Sequence, residues 1–559
     1  MKNNNCWVIN KRIALCSLLL VISLPLAAQN RGGDNKYPRI TSQVYLEQLL
    51  QQKSSDEFVV TAEHTSKLSG VTHTYVRQAI NGIEVCGTES SLHIDTAGSI
   101  IMAHVNFVAN IGESVKNTSA SISAEQAIAG VARQMGYNLS NLQRLENSTG
   151  SNQKGVFNGA GISNRDIPVK LMYYFKEGLG TTMVWELSVM EKNTPDWWNF
   201  RVDASSGRII DKDNWTASCN VMGDHSEEGH KAMAKNKALK IAEIKSTLPI
   251  YTVAEENTAM VQSYNVFALP KEDPYDGPRT VEVNPANTAV NASPLGWHND
   301  GTTSYTYTKG NNAAAYDDGN DDDTGVEADH TPQSAAGLIF NYAFDATAPG
   351  GNPIYSAAAQ SEDAAITNLF YWNNIIHDVM YQYGFDEAAG NFQENNFTNG
   401  GAGGDSVDAQ AQDSANLTAT GLNRCNANFG TPGDGGNPRM QMYICDNGGT
   451  PEHNDGDFDN NVIIHEYAHG ISNRLVGGPG VANGLQNTEQ MGEGWSDFYG
   501  YMLTMNATNA TSDRAIGNFL FDLGPMGGGI RNAPYSTSLT TNPWTYSGVA
   551  NTGQISQPH

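Results

Sequence analysis

The sequence predicts an α+β protein built from more than one domain, and three observations support this. A chain of 559 residues exceeds the usual size of a single compact domain. Residues 40–215 contain short strand-like runs around one or two helices, whereas the later part contains three longer segments with helical spacing of apolar residues. The formal charge also changes abruptly near residue 249, which places a domain boundary there.

The charge of the two parts argues against one functional class. Residues 249–559 contain 8 of the 33 basic residues and 36 of the 59 acidic residues, a net charge of −28. The first 248 residues contain the other 25 basic and 23 acidic residues, a net charge of +2. A nucleic-acid-binding protein would carry a basic face or stripe. We therefore expect no nucleic-acid partner.

The N-terminus has the pattern of a secretory signal peptide. Lys11 and Arg12 precede an apolar run over residues 13–26, and small alanines follow it. The run is shorter than the roughly 20 residues that a membrane-spanning helix needs. We expect residues 1–28 to be removed and the mature chain to be secreted, with no membrane segment.

The cysteines permit two disulfides after export. Two of the six cysteines lie in the signal peptide, and four remain. The simplest pairing keeps each bond within its own domain, Cys86 with Cys219 and Cys425 with Cys445. Four free thiols are the alternative, because geometry decides whether a bond can form.

The first half contains local signals for helices and strands. Residues 92–100 predict a strand that enters a hairpin turn containing Gly98. Ser123 and Gln126 form a capping box, and the apolar residues that follow at helical spacing predict one helix. Further strand-like runs cover residues 169–175, 181–190 and 197–210.

The second half has a different character. Residues 221–248 are rich in Lys, Ala and Glu and predict an exposed linker that proteases can reach. Residues 395–437 predict loops and edge strands. Three helices are predicted, over residues 366–385, 460–475 and 492–505, and Asp459 directly precedes the second as its expected N-cap.

The second of these helices carries the metal-binding pattern His465-Glu466-Tyr467-Ala468-His469. Residues four apart on a helix project from the same face, so both imidazoles can bind one ion. Glu466 lies beside the ion without being a ligand, where it can act as general base toward the attacking water. The pattern occurs by chance in about one such chain in a hundred, and two buried histidines without a metal are the alternative.

The next helix offers a third ligand. Catalytic zinc takes three protein ligands and keeps one position open. Glu493 can supply a carboxylate, and Asp497, on the same helix face, can accept the free N–H of a zinc-ligating histidine. We therefore expect one catalytic Zn²⁺, held by His465, His469 and Glu493.

The chain resembles a known family in these segments. The sequences HEYAHGISNRL (465–475), GEGWSDF (492–498) and SYNVFALPKEDPYDGPRTVEVNPAN (263–287) are similar to those of fungalysins, secreted zinc endopeptidases related to thermolysin. The resemblance covers about residues 250–559. It implies a thermolysin-like zincin catalytic domain that hydrolyses protein and peptide substrates, with Glu466 as base and proton shuttle.

The first half resembles the propeptide of the same family, in residues 78–100 and 197–210. Such propeptides assist folding, inhibit the enzyme and are removed by cleavage. The resemblance implies an α/β propeptide over residues 29–220, an activation cleavage in the linker 221–248, and a catalytic domain over residues 249–559.

The resemblance suggests two further roles. Thermolysin-like enzymes pair the substrate with an edge strand, and the similar segment here makes Asn426 and Ala427 candidate substrate contacts; an ordinary strand and turn is the alternative. A family histidine steadies the oxyanion of the reaction. His559 is the candidate for that residue, which implies that the C-terminal part of the catalytic domain is truncated in this sequence; a terminal histidine without a catalytic role is the alternative.

Two acidic clusters make Ca²⁺ a possible second cofactor. They are Asp317, Asp318, Asp321, Asp322 and Asp323, and Asp455, Asp457 and Asp459. Neither cluster matches the EF-hand loop pattern, so we expect solvated loops.

Two other functions compete with a secreted zinc endopeptidase made as an inactive precursor. One is a binding protein that keeps zinc for structure, but structural sites are closed and commonly use cysteine, and Glu466 would then have no role. The other is an exopeptidase on a related scaffold, but no separate acidic motif is present to hold a substrate N-terminus.

Overall fold

The computed structural model describes most of the chain between residues 44 and 545. The described ranges are 44–47, 57–178, 180–218, 261–326, 329–334, 337–344, 361–417, 425–446, 453–482, 484–485 and 490–545. The predicted signal peptide (1–28), the predicted linker (221–248), Cys219 and His559 lie outside them.

Eleven strands within these ranges form an N-terminal sheet. They are β1 (Glu57–Thr65), β2 (Thr72–Ile80), β3 (Ile83–Cys86), β4 (Ser90–Ile94), β5 (Ile100–His104), β6 (Arg144–Thr149), β7 (Lys154–Phe157), β8 (Ile167–Lys176), β9 (Gly180–Met190), β10 (Trp197–Asp203) and β11 (Ile209–Asn214). Their order is β11-β10-β9-β8-β3-β2-β4-β5, with β1 on β2 and β7 joining β6 to β8. The predicted hairpin at Gly98 is confirmed by the antiparallel pairing of β4 with β5, and the three further strand-like runs form β8 to β11.

One helix, α1 (Ala124–Met135), packs on this sheet. The predicted capping box forms, because the Ser123 hydroxyl accepts from the Gln126 backbone N–H and the Gln126 side chain accepts from the Ser123 N–H. The apolar face of the helix is buried in one core cluster with Trp185 of β9. The helix ends at Gly136, whose φ of 77° is a left-handed conformation that glycine adopts without strain.

The C-terminal part contains two smaller sheets. Their strands are β12 (Thr216–Ser218), β13 (Ser263–Val266), β14 (Thr280–Val283), β15 (Ala313–Asp317), β16 (Ile339–Phe340), β17 (Val407–Asp413), β18 (Ala427–Gly430), β19 (Arg439–Asp446) and β20 (His453–Asp455). One sheet has the order β12-β18-β19-β17-β15, with β20 on β19, and the other has the order β14-β13-β16. Because β17 lies between two parallel neighbours, the expectation that residues 395–437 form only loops and edge strands is wrong.

Three helices accompany these sheets and confirm the three predicted helices and the α+β class. They are α2 (Glu362–Gln382), α3 (Asn460–Leu475) and α4 (Gly492–Thr504). Helix α2 is buried along most of its length because large apolar groups lie on all its sides. Helix α3 packs between α2 and α4. Among the helices of the described ranges, none combines the length and apolar character needed to cross a bilayer.

Gly470 allows α3 to approach the aromatic core closely. A Cβ on Gly470 would lie 2.5 Å from Phe429 Cε1 and 2.8 Å from Phe392 ring atoms. We therefore expect Gly470→Ala to lower the free energy of unfolding by about 1–3 kcal/mol, the usual cost of overpacking. Gly500→Ala in α4 is the matched control, because its new Cβ would have its nearest neighbour at 3.4 Å. Denaturant unfolding that shows an equal loss for both variants would contradict this account.

The described cysteines include one disulfide-bonded pair and one free thiol. Cys425 and Cys445 form a disulfide, as suspected. Cys86 is a free thiol buried in the N-terminal sheet, so the suspected pairing with Cys219 is not formed. Cys86 packs with Met172 and Val184 instead, in a small apolar cluster.

The N-terminal sheet packs against the C-terminal part, and both belong to one compact unit. Lys67 Nζ lies 3.2 Å from Asp386 Oδ2, and Arg165 forms an ion pair with Asp408. A pocket of about 360 Å³ lies at this contact and is open to solvent on one side. Its lining includes three histidines of the sheet (His64, His73 and His93) and apolar residues at the ends of α2 and α3 (Met380, Phe385, Ile471 and Leu475).

Candidate active site

Helix α3 presents two histidines on one buried face. The Asp459 side chain caps the helix by accepting from the Val462 N–H, as predicted. His465 and His469 follow at helical spacing, and His465 Nε2 lies 3.0 Å from His469 Nε2. Helix α3 therefore directs both imidazoles toward a common point, with a relative exposure of 0% for His465 and 4% for His469.

Helix α4 brings two carboxylates to the same point. Glu493 Oε2 lies 3.1 Å from His465 Nε2, and Glu493 Oε1 lies 3.5 Å from His469 Nε2. Asp497 lies one turn further along α4, and its Oδ1 is 2.7 Å from His465 Nδ1. The structure thus brings together all four residues that the sequence assigned to the metal centre.

The protonation states suit metal binding. Burial lowers the pKa of His469 to about 4, so its imidazole is neutral near pH 7 and its lone pair is available. Burial alone would raise the pKa of Glu493, but His469, His465 and Arg531 together hold it well below its usual range. At neutral pH the centre therefore combines a neutral imidazole of His469 with an ionised carboxylate.

The donor atoms fit a zinc ion. One ligand atom each from His465, His469 and Glu493 lies within 4.8 Å of the others. Zinc bonds of about 2.0–2.1 Å in a tetrahedron would place two ligand atoms roughly 3.3 Å apart. The two imidazole Nε2 atoms are 3.0 Å apart, and Glu493 approaches them with its two different oxygens, at 3.1 Å from His465 and 3.5 Å from His469, all close to that value. Nitrogen and carboxylate ligands in this number are also the usual set of catalytic zinc.

Two residues that sequence reasoning missed contact the acidic side of the centre. Arg531 donates from Nε and Nη2 to the two oxygens of Asp497, both at 2.8 Å, and its Nη2 lies 3.4 Å from Glu493 Oε2. The Tyr535 hydroxyl donates to Asp497 Oδ2 at 2.6 Å. For Arg531 the sequence offers one signal, because it is one of only 8 basic residues in residues 249–559. For Tyr535 it offers none.

The two candidate substrate contacts lie at the start of β18. Ala427 is the first residue of the strand, is buried, and pairs with Met442 of β19, while Asn426 directly precedes it. The other edge of β18 is occupied by β12, with Ala217 opposite Phe429 and antiparallel pairing throughout. A short segment that follows the N-terminal sheet therefore already covers this edge.

The acidic clusters differ from the expectation. Asp318, Asp321, Asp455, Asp457 and Asp459 are each at most 7% exposed, so the prediction that both clusters are solvated loops is wrong. Asp455 and Asp457 accept hydrogen bonds from the side chain and backbone of Gln412. Their burial follows from these hydrogen bonds, which no local sequence pattern signals.

Comparisons with known proteins match both parts of the chain. Residues 263–559 match the family model "Fungalysin metallopeptidase (M36)". Residues 56–107 match the model "Fungalysin/Thermolysin Propeptide Motif". The first match covers both helices of the metal centre, and the second covers β1 to β5 of the N-terminal sheet.

Similar proteins include fungal enzymes. "Extracellular metalloproteinase 2" of Trichophyton tonsurans is 40% identical over 324 residues, which are 57% of this chain and 47% of that protein. "Extracellular metalloproteinase mep" of Aspergillus fumigatus is 32% identical over 498 residues, which are 88% of this chain and 68% of that protein. The chain spans about half the length of the first of these relatives.

One solved structure shows only a distant likeness. The Bacillus megaterium YpeB C-terminal domain has 13% sequence identity and a TM-score of 0.18, covering 33% of this chain and 68% of that chain. A score this low supports no conclusion about the fold.

Proposed function

The chain belongs to the fungalysin metallopeptidase family, and from that premise we propose that it is the secreted precursor of a zinc-dependent endopeptidase. The observation that carries the proposal is the meeting of His465, His469 and Glu493 in one buried group. Within the described ranges no fourth ligand-type side chain joins that group, which suits catalytic rather than structural zinc. The relatives' designation as extracellular supports secretion.

Glu466 is the proposed general base. Bound zinc would polarise the scissile carbonyl and lower the pKa of the attacking water. Glu466 directly follows His465 on α3, and its side chain is fully buried and shielded from bulk solvent. It takes a proton as the water oxygen bonds to the carbonyl carbon. It then returns that proton to the amine nitrogen as the C–N bond breaks.

Asp497 and Arg531 are proposed to hold this arrangement in place. The contact of Asp497 with His465 Nδ1 favours the tautomer that carries its hydrogen on Nδ1 and leaves Nε2 as the metal donor. Arg531 fixes both oxygens of Asp497 and compensates part of the negative charge that Asp497 and Glu493 concentrate there.

The N-terminal half is proposed to act as the inhibitory propeptide. Extended substrates bind proteases of this kind by adding a strand to an exposed sheet edge. Strand β12 covers β18 from Asn428 to Gly430, next to the proposed substrate contacts Asn426 and Ala427. A peptide that approaches along this edge would therefore compete with β12.

His559 remains the proposed oxyanion-stabilising residue.

Metal content and chelator-sensitive proteolysis test the proposed function. We expect the purified chain to bind one zinc per molecule, because its donor set is complete. After limited proteolysis within residues 221–248, we expect cleavage of casein that 1,10-phenanthroline abolishes and added zinc restores. The uncut chain is the control and should be less active, because β12 still covers β18.

Two outcomes would favour the competing functions. Stoichiometric zinc without casein cleavage by the cut protein would indicate a structural metal. Hydrolysis of amino-terminal peptide substrates, combined with failure on casein, would indicate an exopeptidase.

A further inference from the structure

A second group of ligand-type side chains lies at the ends of two neighbouring strands. Asp318 directly follows β15, Asp413 ends β17, and Asp321 lies in the loop after β15. One carboxylate oxygen from each lies within 4.8 Å of the others. Their relative exposures are 0%, 2% and 7%, so three carboxylates meet in the protein interior. No residue of this group belongs to the proposed zinc centre.

The surrounding protein supplies little positive charge to this group. Among the described residues, Arg439 lies near the group, and its Nη1 already pairs with Asp323 Oδ1 at 3.0 Å. Arg165 also lies near Asp323 but pairs with Asp408. Both guanidinium groups are therefore already paired with aspartates outside the group of three. Buried carboxylates that lie this close repel one another and have lost their hydration. Accordingly, burial raises the pKa of Asp318 to about 9.

Asp318 gives a second, independent indication of a bound ion. Its Oδ1 accepts from the Asp322 backbone N–H at 3.2 Å. Its Oδ2 is buried and has no hydrogen-bond partner among the described residues. A buried carboxylate oxygen is rarely left without a donor or a cation, because it loses its hydration without compensation.

We propose that Asp318, Asp321 and Asp413 bind one calcium ion. The group offers only carboxylate oxygens, which are ligands of hard cations, and it contains no histidine or cysteine to favour zinc. Calcium accepts irregular sets of oxygen ligands, whereas magnesium demands near-ideal octahedral geometry. Asp321 is the most exposed of the three, and the exposed Asp322 beside it marks the side from which an ion can enter.

The position of the site indicates a stabilising role. Gln412, next to Asp413, donates its backbone N–H to Asp457 Oδ2 at 3.0 Å and its side-chain amide to Asp455 Oδ2 at 2.6 Å. These two aspartates lie in the segment that leads into α3. A cation that fixes the end of β17 would therefore also support the start of the helix that carries His465 and His469.

Calcium titration of the zinc-saturated chain tests the proposal. We expect calorimetry to show one calcium per molecule, with a Kd of about 10⁻⁴ to 10⁻³ M, as in extracellular calcium modules. We also expect 10 mM calcium to raise the thermal unfolding temperature by several degrees, because the ion binds only the folded state. Saturation with zinc beforehand prevents the proposed catalytic centre from contributing to the signal.

Asp318→Asn provides the sharpest variant. The asparagine can still accept from the Asp322 N–H, and its amide places two N–H donors where Oδ2 had no partner. We therefore expect the variant to lose the calcium response and yet be at least as stable as the parent chain in calcium-free buffer. Asp413→Asn should behave alike, whereas the exposed Asp513→Asn should keep the response. Glu466→Gln, which is expected to keep its zinc but lose peptidase activity, should also keep the calcium response, which separates this site from the proposed peptidase function.

Several results would overturn the proposal. They are the absence of calcium binding by the parent chain, an equal affinity for magnesium, and a calcium response retained by both Asp318→Asn and Asp413→Asn. Failure of both variants to fold in calcium-free buffer would also count against it, because removing one of the mutually repelling carboxylates should not destabilise an empty site.

Discussion

Glu466→Gln is expected to lower kcat for peptide hydrolysis by about 10²–10⁴-fold, the usual contribution of a general base. Glutamine has nearly the same shape as glutamate, but its amide cannot take a proton from the attacking water. Because the two side chains are nearly isosteric, the substitution should preserve the packing of α3 around this fully buried position. Single-turnover cleavage of a quenched fluorescent peptide by the activated protein measures the effect on the chemical step.

Two controls distinguish this role from a structural one. Zinc content and the thermal unfolding temperature of Glu466→Gln should match those of the parent chain, because Glu466 is not proposed as a ligand. Glu394→Gln, an exposed position in the same half of the chain, should keep full activity. If Glu466→Gln also kept full activity, Glu466 could not be the general base.

Local sequence signals predicted the helices of the site because each signal acts over a few residues. The Asp459 cap and the apolar spacing gave α3 its observed bounds of Asn460–Leu475. The spacing of His465 and His469 then placed both imidazoles on one face. The capping box at Ser123 is another case in which neighbouring residues alone determine where a helix starts.

Contacts between distant residues were not predictable in the same way. Arg531 lies 34 residues beyond Asp497, and only the folded chain brings its guanidinium to that carboxylate. The pairing of β12 with β18 likewise depends on how the N-terminal sheet packs, since more than 200 residues separate Ala217 from Phe429. Periodicity within one segment carries no information about such partners.

The predictions of solvated acidic loops and of a disulfide at Cys86 were wrong for a related physical reason. Acidic residues usually lie at the surface, yet Asp318 and Asp413 are buried because the ends of β15 and β17 meet inside the protein. Cysteine count permitted two disulfides, but a bond needs suitable geometry, and Cys86 is instead a buried free thiol that packs with Met172 and Val184. In both cases the decisive quantity is a three-dimensional position.

The uneven charge along the chain gains an explanation from the contact between the two parts. Lys67, in the turn between β1 and β2, pairs with Asp386 of the acidic part, and Arg165, in the loop before β8, pairs with Asp408. A part with a net charge of −28 and few basic residues of its own thereby receives cations from its partner. Because salt screens such pairs, the hold of the N-terminal sheet on the acidic part should weaken as ionic strength rises.

His469→Ala is expected to abolish stoichiometric zinc binding, and with it all chelator-sensitive activity. The substitution removes one of only three proposed ligands, and alanine offers no donor atom. Glu493→Gln should act in the same direction, because it removes the single negative charge among the ligands and replaces a carboxylate with a weak amide donor. Zinc content after dialysis, together with casein cleavage, measures both effects.

Asp497→Asn tests whether a residue that only orients a zinc ligand has a smaller effect on zinc affinity than a ligand itself. Asp497 contacts His465 Nδ1 without being a proposed ligand, so its loss should weaken zinc binding by only about 10–100-fold. Excess zinc should therefore restore activity to Asp497→Asn but not to His469→Ala. The partly exposed His330→Ala is the control for general effects of losing a histidine and should keep its zinc. Full zinc occupancy in His469→Ala would show that the metal is held elsewhere, since the centre would then contain only one imidazole.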